Sequence, residues 1–428
     1  MDAKPRLVLH ETKDRLHATR EVADATGLSH DEVRAQVAAL NNRLKDLLGY
    51  DSDPIAVNGA GTWRVDGVAG LLRLNEEVEL EVVPKFLDPD DSNWRADFFL
   101  LAVLVRTGHL LVSDQIAAGV EDRGDLATLV ARSLLHMHSE NQRRPIRGYK
   151  RVSQTDFSFD GDVDWDTLLL PEPDGFRLQR LELTRRNPHN AVLRGAVDAL
   201  MSEVGEGDTR AQLQRLARRL GDQALPTRLT KRLPQRHRSW KQAYSLSQLV
   251  LEGMGLDLDG GTWTGPGFVL STWSAWEALC EAVVRRANPG SRTIGQHPFP
   301  LGVRGDGTPV VAKPDIAVLK DGGTRFLLDA KYKTRRGRKS SISSTDLYEG
   351  LAFMRAAQTD HIVLMYPSLD SVEDLSLGAW KHFDEVRVDG LRVQAAQVQV
   401  RGLAQRGGFD RLVEGARQAL EAVSAATS

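Results

Sequence analysis

Two apolar segments joined by an Asp-Gly-Gly turn constrain this chain most strongly, in the stretch KPDIAVLKDGGTRFLLDAKYK at 313–333. Glycine tolerates the positive φ that a three-residue hairpin loop requires. The pattern therefore predicts an antiparallel hairpin in which Lys320 opposes Thr324. Counting back along both strands then places Asp315 opposite Asp329. Directly opposed residues share one face of a sheet, with their Cβ atoms about 5 Å apart.

The same face receives a third charged side chain. Lys331 lies two residues beyond Asp329 and so points to that face, whereas Leu328 and Ala330 point towards a core. Two carboxylates this close repel each other unless a cation joins them. Mg²⁺ prefers hard oxygen ligands, and Mn²⁺ is the expected substitute. The hairpin therefore predicts a metal site formed by Asp315 and Asp329.

The chemistry expected of such a site is hydrolysis of a phosphate ester. The metal ion activates water and stabilises the charge that develops on a phosphate oxygen, while Lys331 orients or deprotonates the water. The alternative is a surface ion pair between Asp329 and Lys331, which is the commoner explanation of an isolated D-x-K. The Pro-Asp opening, the hairpin spacing and the apolar flanks favour the metal site.

A third acid is expected upstream, in the helical pattern STWSAWEALCEAVVRRA at 271–287. Glu277 falls inside an apolar stripe at helical spacing, and an acid there is costly to bury without a cation or a donor. Glu277 is therefore a candidate metal-site residue, with a buried structural carboxylate as the alternative. The stripe consists of Trp273, Trp276, Cys280, Val283, Val284 and Ala287.

The length of 428 residues exceeds what one compact core accommodates. The predicted fold class is multidomain α+β with three segments. Residues 1–120 form a mixed α/β domain, residues 121–262 a mainly helical region, and residues 263–428 an α/β domain with a mixed central sheet. The Gly-rich passage at 255–267 marks the last boundary.

Two helical patterns within residues 15–50 are separated by Gly27. Ser29 and Glu32 form a capping box at the start of the second helix. This arrangement is compatible with a helix-turn-helix, although helix pairs of this kind are more often packing elements. A helix-turn-helix regulator with a C-terminal ligand-sensing domain therefore stays open as an alternative.

Composition bounds the location and the class of partner. The longest apolar run, at 98–105, is too short to span a membrane, and the charged N-terminus lacks the apolar core of a secretory signal. With one cysteine, Cys280, the chain suits a reducing compartment, so a cytoplasmic protein without a membrane partner is expected. The net charge is −2, but basic residues cluster at 210–241 and at 331–339, as phosphate contact requires.

The hairpin KPDI…LLDAKYK resembles the PD-(D/E)xK nuclease signature, and the surrounding sequence resembles the McrC family. Members of this family are the nuclease subunits of McrBC-type restriction systems. The resemblance extends over most of residues 50–370. It is carried by VELEVVPKF, FSFDGDVDW, LTRRNPHNAVLRGAVDAL, DLYEGLAFM and IVLMYP.

This resemblance implies a role for each residue of the site. Asp315 and Asp329 would be metal ligands and Lys331 the catalytic lysine, with the carbonyl of Ala330 as a further ligand. Glu277 would match the acid on the helix before the core sheet. One departure is Glu349, at a position where the family commonly has Gln.

The resemblance also implies partners. The family works on DNA with a separate McrB-like AAA+ GTPase that forms a hexameric ring, and its N-terminal region of about 120 residues would dock on that ring. This chain has no G-x-x-x-x-G-K-[ST] motif, so the motor must be another chain. A second copy of the chain is expected for cleavage of both strands. The remaining alternative is a catalytically weak adaptor that only stimulates the AAA+ partner.

Overall fold

The computed structural model describes residues 6–75, 78–87, 94–107, 126–170, 172–223, 232–253, 267–320, 322–333, 341–370 and 375–425. The chain divides into two compact units. The first combines Met1–Leu129 with Gly265–Ser428, and the second is Val130–Thr264. The predicted boundaries at 120 and 262, and the separate folding of the two terminal segments, stay predictions.

The described residues form a mixed α/β chain. Its strands are β1 (Arg6–His10), β2 (Asp14–Arg15), β3 (Ile55–Val57), β4 (Trp63–Val65), β5 (Val68–Arg73), β6 (Glu79–Val83), β7 (Gly148–Asp156), β8 (Asp162–Val163), β9 (Phe176–Thr184), β10 (Gly267–Ser271), β11 (Arg292–Gly295), β12 (Phe299–Val303), β13 (Pro309–Ala312), β14 (Ile316–Lys320), β15 (Gly323–Ala330), β16 (His361–Pro367), β17 (Trp380–Val388) and β18 (Leu391–Val398). Its helices are α1 (Ala18–Thr26), α2 (His30–Leu48), α3 (Trp94–Thr107), α4 (Leu126–Asn141), α5 (Trp165–Leu169), α6 (Pro188–Glu203), α7 (Gly207–Leu220), α8 (Lys241–Gly253), α9 (Thr272–Ala287), α10 (Ser344–Ala357) and α11 (Gly408–Ala425).

The first unit contains a four-stranded sheet built from both ends of the chain. Its order is β1-β6-β5-β10, so a strand from the C-terminal half completes a sheet of N-terminal strands. Apolar side chains of helices α1 and α2 and of this sheet pack together in one core. The predicted capping box is confirmed, because Ser29 accepts a hydrogen bond from the Glu32 N–H and the Glu32 side chain accepts one from the Ser29 N–H.

A second sheet of the same unit carries the hairpin. Its order is β11-β14-β15-β16-β18-β17, and it is mixed, because β14 and β15 are antiparallel whereas β15 and β16 are parallel. Helix α10 packs on it through a buried core that includes Met354 and Ile362. The predicted mixed sheet in the C-terminal segment is therefore confirmed.

The predicted register is wrong at the tip of the hairpin and right at its base. Lys320 pairs with Gly323 rather than with Thr324, and the register shifts between Val318 and Leu319. Beyond this irregularity Ile316 pairs with Leu328, which is the alignment that the sequence count required. A β-bulge adds one residue to one strand, and here it compensates for the shorter connection.

The second unit is mainly helical in its described residues, and a small sheet accompanies the helices. It contains a three-stranded sheet of order β7-β9-β8, and β9 was not predicted. Asn187 caps α6, and the buried Asn190 donates hydrogen bonds to the carbonyls of Ile146 (2.9 Å) and Arg185 (2.7 Å). Large exposed apolar side chains lie on or beside this sheet: Tyr149, Phe157, Phe159, Trp165, Leu169, Leu170, Leu181 and Leu183.

The described residues include no apolar helix of the length that crosses a lipid bilayer.

Candidate functional site

The base of the β14–β15 hairpin brings the two predicted aspartates together. Asp315 directly precedes β14, and extending the Ile316–Leu328 pair by one position aligns it with Asp329. Asp329 is only 3% exposed, because β15 lies between β14 and β16. One carboxylate oxygen of Asp315 accepts a hydrogen bond from the Ala330 N–H at 2.7 Å. The Asp315 side chain is therefore held by backbone of β15, the strand that carries Asp329.

The electrostatics of this pair favour a cation. Burial, followed by the negative charge of Asp329, raises the pKa of Asp315 to about 8, and the charge of Glu277 acts in the same direction. The hydrogen bond from Ala330 opposes this shift without cancelling it. A second negative charge is thus unfavourable at neutral pH unless a positive charge accompanies it.

Lys331 supplies the positive charge that the structure contains. Its ammonium forms an ion pair with Asp329 and a second one with Glu349 at 2.6 Å. The Asp329–Lys331 ion pair of the alternative interpretation is present, but the two side chains are 4% and 12% exposed, so this pair is buried and does not lie on the surface. Burial lowers the pKa of Lys331, but the carboxylates of Asp329 and Glu349 outweigh burial and raise that pKa above its ordinary value.

Gln296 was missed by the sequence analysis and links the third predicted acid to the pair. It follows β11, and its side-chain amide donates one hydrogen bond to Glu277 and one to Asp315, each at 2.7 Å. Its backbone N–H also donates to the Asp315 carbonyl at 2.9 Å. Gln296 adopts a positive φ of 50°, which turns the chain towards both acids. Glu277 is thus connected to Asp315 through an amide, and its role as a metal ligand stays a prediction.

Helix α9 buries most of the predicted apolar stripe, with one exception. Trp276 is buried and donates its indole N–H to the Met365 carbonyl at 3.1 Å. Trp273 was expected in the same stripe, but it is 46% exposed. Its ring lies against Tyr50, with ring centroids 5.3 Å apart. Helical spacing alone did not reveal that this position faces Tyr50 and Gly67.

A second layer of polar residues holds the site from the side of α10. Asp346 is 2% exposed and accepts hydrogen bonds from Lys333 at 2.5 Å and from the Tyr366 hydroxyl at 2.9 Å. Burial raises the pKa of Asp346, but these donors together with Ser343 hold it below its ordinary value. The Lys331 ammonium lies 4.0 Å from the same carboxylate. Asp346 therefore stays ionised and positions both lysines.

An unexpected buried carboxylate, Glu11, reaches the other side of the hairpin. It directly follows β1 and is 1% exposed. The carboxylate accepts hydrogen bonds from the Tyr332 hydroxyl (2.5 Å), the Thr272 hydroxyl (2.9 Å), and the N–H groups of Gly67 and Lys85 (3.1 Å each). Because Tyr332 follows Lys331 directly, Glu11 ties the N-terminal strand to the site.

The oxygen atoms at this site are suitable ligands for a hard divalent cation. Asp315 and Asp329 offer carboxylate oxygens, and one buried oxygen of Asp329 forms the ion pair with the Lys331 ammonium. Throughout the described residues, no three His, Cys, Asp or Glu side chains are close enough to hold a metal by themselves. Mg²⁺ is compatible with two carboxylates because it retains several waters. The Ala330 carbonyl as a further ligand stays a prediction.

The two predicted basic clusters are only partly visible. In the second cluster, Lys331 and Lys333 form ion pairs with carboxylates, while residues 334–340 lie outside the described residues. In the first cluster, residues 224–231 also lie outside them. The expectation that these clusters contact phosphate stays a prediction.

Comparison with known proteins gives one family and two similar folds. The family model of the McrBC 5-methylcytosine restriction system component matches residues 63–367. A chain of the half-complex of Thermococcus gammatolerans McrB AAA+ hexamers with bound McrC is 17% identical, with a TM-score of 0.69, covering 97% of this chain and 100% of that one. A chain of the Thermococcus gammatolerans McrBC complex is 16% identical, with a TM-score of 0.51, covering 66% of this chain and 88% of that one. At these identities the likeness concerns the fold. No curated protein matches.

Proposed function

Because this chain belongs to the family of McrBC 5-methylcytosine restriction system components, we propose that it is the DNA endonuclease subunit of a type IV restriction system. The observation that carries the proposal is the convergence of Asp315, Asp329 and Lys331 at the base of one hairpin. The buried carboxylate of Asp329, the half-buried carboxylate of Asp315 and the Lys331 ammonium are compatible with a PD-(D/E)xK arrangement. A site of this kind hydrolyses phosphodiester bonds.

Each residue has a distinct part in the proposed reaction. Asp315 and Asp329 would hold Mg²⁺, or Mn²⁺ in its place, assisted by the Ala330 carbonyl and by Glu277. When bound, the metal supplies Lewis-acid stabilisation of the charge that develops on the phosphate. Lys331 has a raised pKa and remains an ammonium, so it would orient water and stabilise the phosphate charge rather than accept a proton.

The proposed partner is a McrB-like AAA+ GTPase ring. The similar chain of Thermococcus gammatolerans comes from an assembly of McrB hexamers with McrC. This sequence lacks a P-loop motif, so GTP hydrolysis would belong to the partner. Exposed apolar side chains on the second unit, among them Tyr149, Trp165 and Leu181, support a protein-binding surface there. Docking through the N-terminal 120 residues, a second copy for double-strand cleavage and a cytoplasmic location stay predictions.

The decisive experiment combines the chain with its AAA+ partner, GTP, Mg²⁺ and DNA that contains or lacks 5-methylcytosine. We expect cleavage that is lost in Asp329→Ala and in Lys331→Ala, while binding to the partner persists. Matched controls are Asp306→Ala and Lys320→Ala, because both side chains are exposed in the same unit. Unchanged cleavage in Asp329→Ala would refute the site.

Glu349 supports a second candidate function, that of a catalytically weak adaptor. Its carboxylate forms an ion pair with the Lys331 ammonium at 2.6 Å. A substrate phosphate would compete with this carboxylate for the ammonium. GTP hydrolysis stimulated without cleavage of any DNA would favour the adaptor. Cleavage restored by Glu349→Gln would show that the acid suppresses an otherwise competent site.

The structure gives no observation that favours the helix-turn-helix regulator among the described residues. Helices α1 and α2 pack their apolar side chains into a core, as plain packing elements do.

A further inference from the structure

A polar cleft of about 610 Å³ opens beside the proposed catalytic residues, within the first unit. Residues 330–333, which directly follow Asp329, form one part of its lining. The other part comes from the N-terminal segment and from α9. The cleft is lined by Thr12, Arg64, Asp66, Lys85, Trp273, Ala330, Lys331, Tyr332 and Lys333. It shares Lys331 with the site, so the cleft adjoins the proposed catalytic residues.

The cleft is positively charged by residues from distant parts of the sequence. Arg64, on β4, is exposed and has no ion-pair partner among the residues that the structure describes. The ammonium of Lys85 donates to the Tyr332 carbonyl at 3.2 Å and lies 3.7 Å from the centre of the Tyr332 ring. Lys331 and Lys333 also line the cleft, but their charges are paired with carboxylates outside the lining, and Asp66 is the acid in the lining. A charged cleft with an unpaired guanidinium suits an anionic ligand.

An aromatic ring is already fixed at the edge of this cleft. Trp273 is 46% exposed, yet its inner side contacts Tyr50 and Gly67. A Cβ atom at Gly67 would lie 3.1 Å from the indole ring, so glycine is needed there for the ring to approach. The Tyr50 hydroxyl donates to the Gly67 carbonyl at 2.6 Å and holds this corner together. Trp273 therefore presents an ordered π-face at little further cost in conformational entropy.

We propose that this cleft binds one nucleotide of the DNA strand next to the cleaved phosphodiester. Arg64, supported by Lys85, contacts the backbone phosphate, and Trp273 stacks on the base. A basic groove that follows the backbone and an aromatic platform for a base are the two components of single-strand binding sites. This inference rests on the proposed nuclease function for its position in the reaction, but binding can be measured without cleavage.

The test is anisotropy of a fluorescent single-stranded oligonucleotide with the full chain in EDTA, where no cleavage takes place. Arg64→Ala should weaken binding and reduce the slope of log K against log salt by about 0.7, because one phosphate contact is lost. Trp273→Ala should weaken binding by about 5- to 150-fold without changing that slope, because a stacked base contributes about 1–3 kcal/mol. Arg20→Ala is the matched control, since Arg20 is exposed outside the cleft.

A series of oligonucleotides, each with one abasic position, identifies the stacked base. One abasic position should weaken binding by the wild type and leave binding by Trp273→Ala unchanged. Trp273→Phe, which retains an aromatic ring, should restore most of the affinity. Thermal unfolding of every variant separates loss of binding from loss of fold.

Three results would overturn the inference. The first is unchanged affinity and salt slope in Arg64→Ala, a substitution at an exposed residue that the fold tolerates. The second is an equal effect of every abasic position on the wild type and on Trp273→Ala. The third is displacement of the oligonucleotide by inorganic phosphate or by an acidic peptide at equal charge, which would indicate a general anion site. Absence of cleavage with both binding effects intact would contradict the nuclease function alone.

Discussion

Removal of the buried Glu11 carboxylate should destabilise the first unit and disturb the proposed catalytic hairpin. Glu11 accepts hydrogen bonds from two backbone N–H groups and two hydroxyls. Burial raises its pKa, while Lys85 and these donors oppose that effect. A buried carboxylate is thus stabilised by four hydrogen-bond donors. Its loss leaves the donors of Gly67 and Lys85 unsatisfied inside the protein.

The magnitude follows from counting the groups left without partners. In Glu11→Gln the amide oxygen can serve one pair of donors, while the NH₂ faces the other pair. One buried N–H then lacks an acceptor, so we expect a loss of about 2 kcal/mol in the free energy of unfolding. In Glu11→Ala both backbone donors lose their acceptor and the Lys85 ammonium loses the attraction of a nearby negative charge, so the expected loss is about 3–5 kcal/mol.

The assay is hydrogen exchange of peptides from β1 and β15 in increasing urea, which measures the free energy of opening this part of the chain. Glu21→Gln is the matched control. Its ion pair with Arg15 is exposed, so a change below about 1 kcal/mol is expected. A double-mutant cycle with Tyr332→Phe should give a coupling of about 1 kcal/mol or more.

Equal stability of Glu11→Ala and the wild type would refute the reasoning. So would a coupling energy near zero, because it would show that Glu11 and Tyr332 act independently. A cleavage assay under conditions where the variants stay folded adds a functional readout. We expect Glu11→Gln to lower cleavage more than the unfolded fraction explains, since Tyr332 directly follows Lys331.

Three further predictions concern single residues. Gln296→Ala should lower cleavage at least tenfold with little change in thermal stability, because the exposed amide holds Asp315 and contributes little to the core; unchanged cleavage would contradict this. Burial against Trp240 lowers the pKa of His138 to about 4, so the unfolded chain binds the extra proton below pH 6.5. Stability of the second unit should thus be complete above pH 6.5 and fall by about 2 kcal/mol by pH 5. His138→Phe should remove that loss in urea unfolding followed at both pH values. Asn190→Ala should destabilise the second unit by about 1 kcal/mol in the same assay, because the buried amide loses its hydrogen bonds to the Ile146 and Arg185 carbonyls, to which Asn187 also donates.

The sequence pattern was sufficient to predict those parts of the structure that depend on residues close together along the chain or across one hairpin. Alternation along two strands placed Asp315, Asp329 and Lys331 together, and the structure has this arrangement. The capping box of Ser29 and Glu32 followed from their spacing in the same way. Strand period and helix capping depend on residues a few positions apart, so sequence specifies them directly. The bulge in β15 lay beyond such counting, because residues in the bulge and the turn shift the register independently.

Contacts between distant segments were decided by the tertiary structure alone. Gln296 lies 19 residues from both Glu277 and Asp315, and nothing in its neighbourhood indicated that it joins them. Glu11 meets Tyr332 across 321 residues because a strand from each end of the chain enters one unit. Chain spacing specifies which face of a strand or helix a side chain occupies. The neighbour that this face meets depends on how the two sheets of the first unit pack, and that packing is a property of the whole fold.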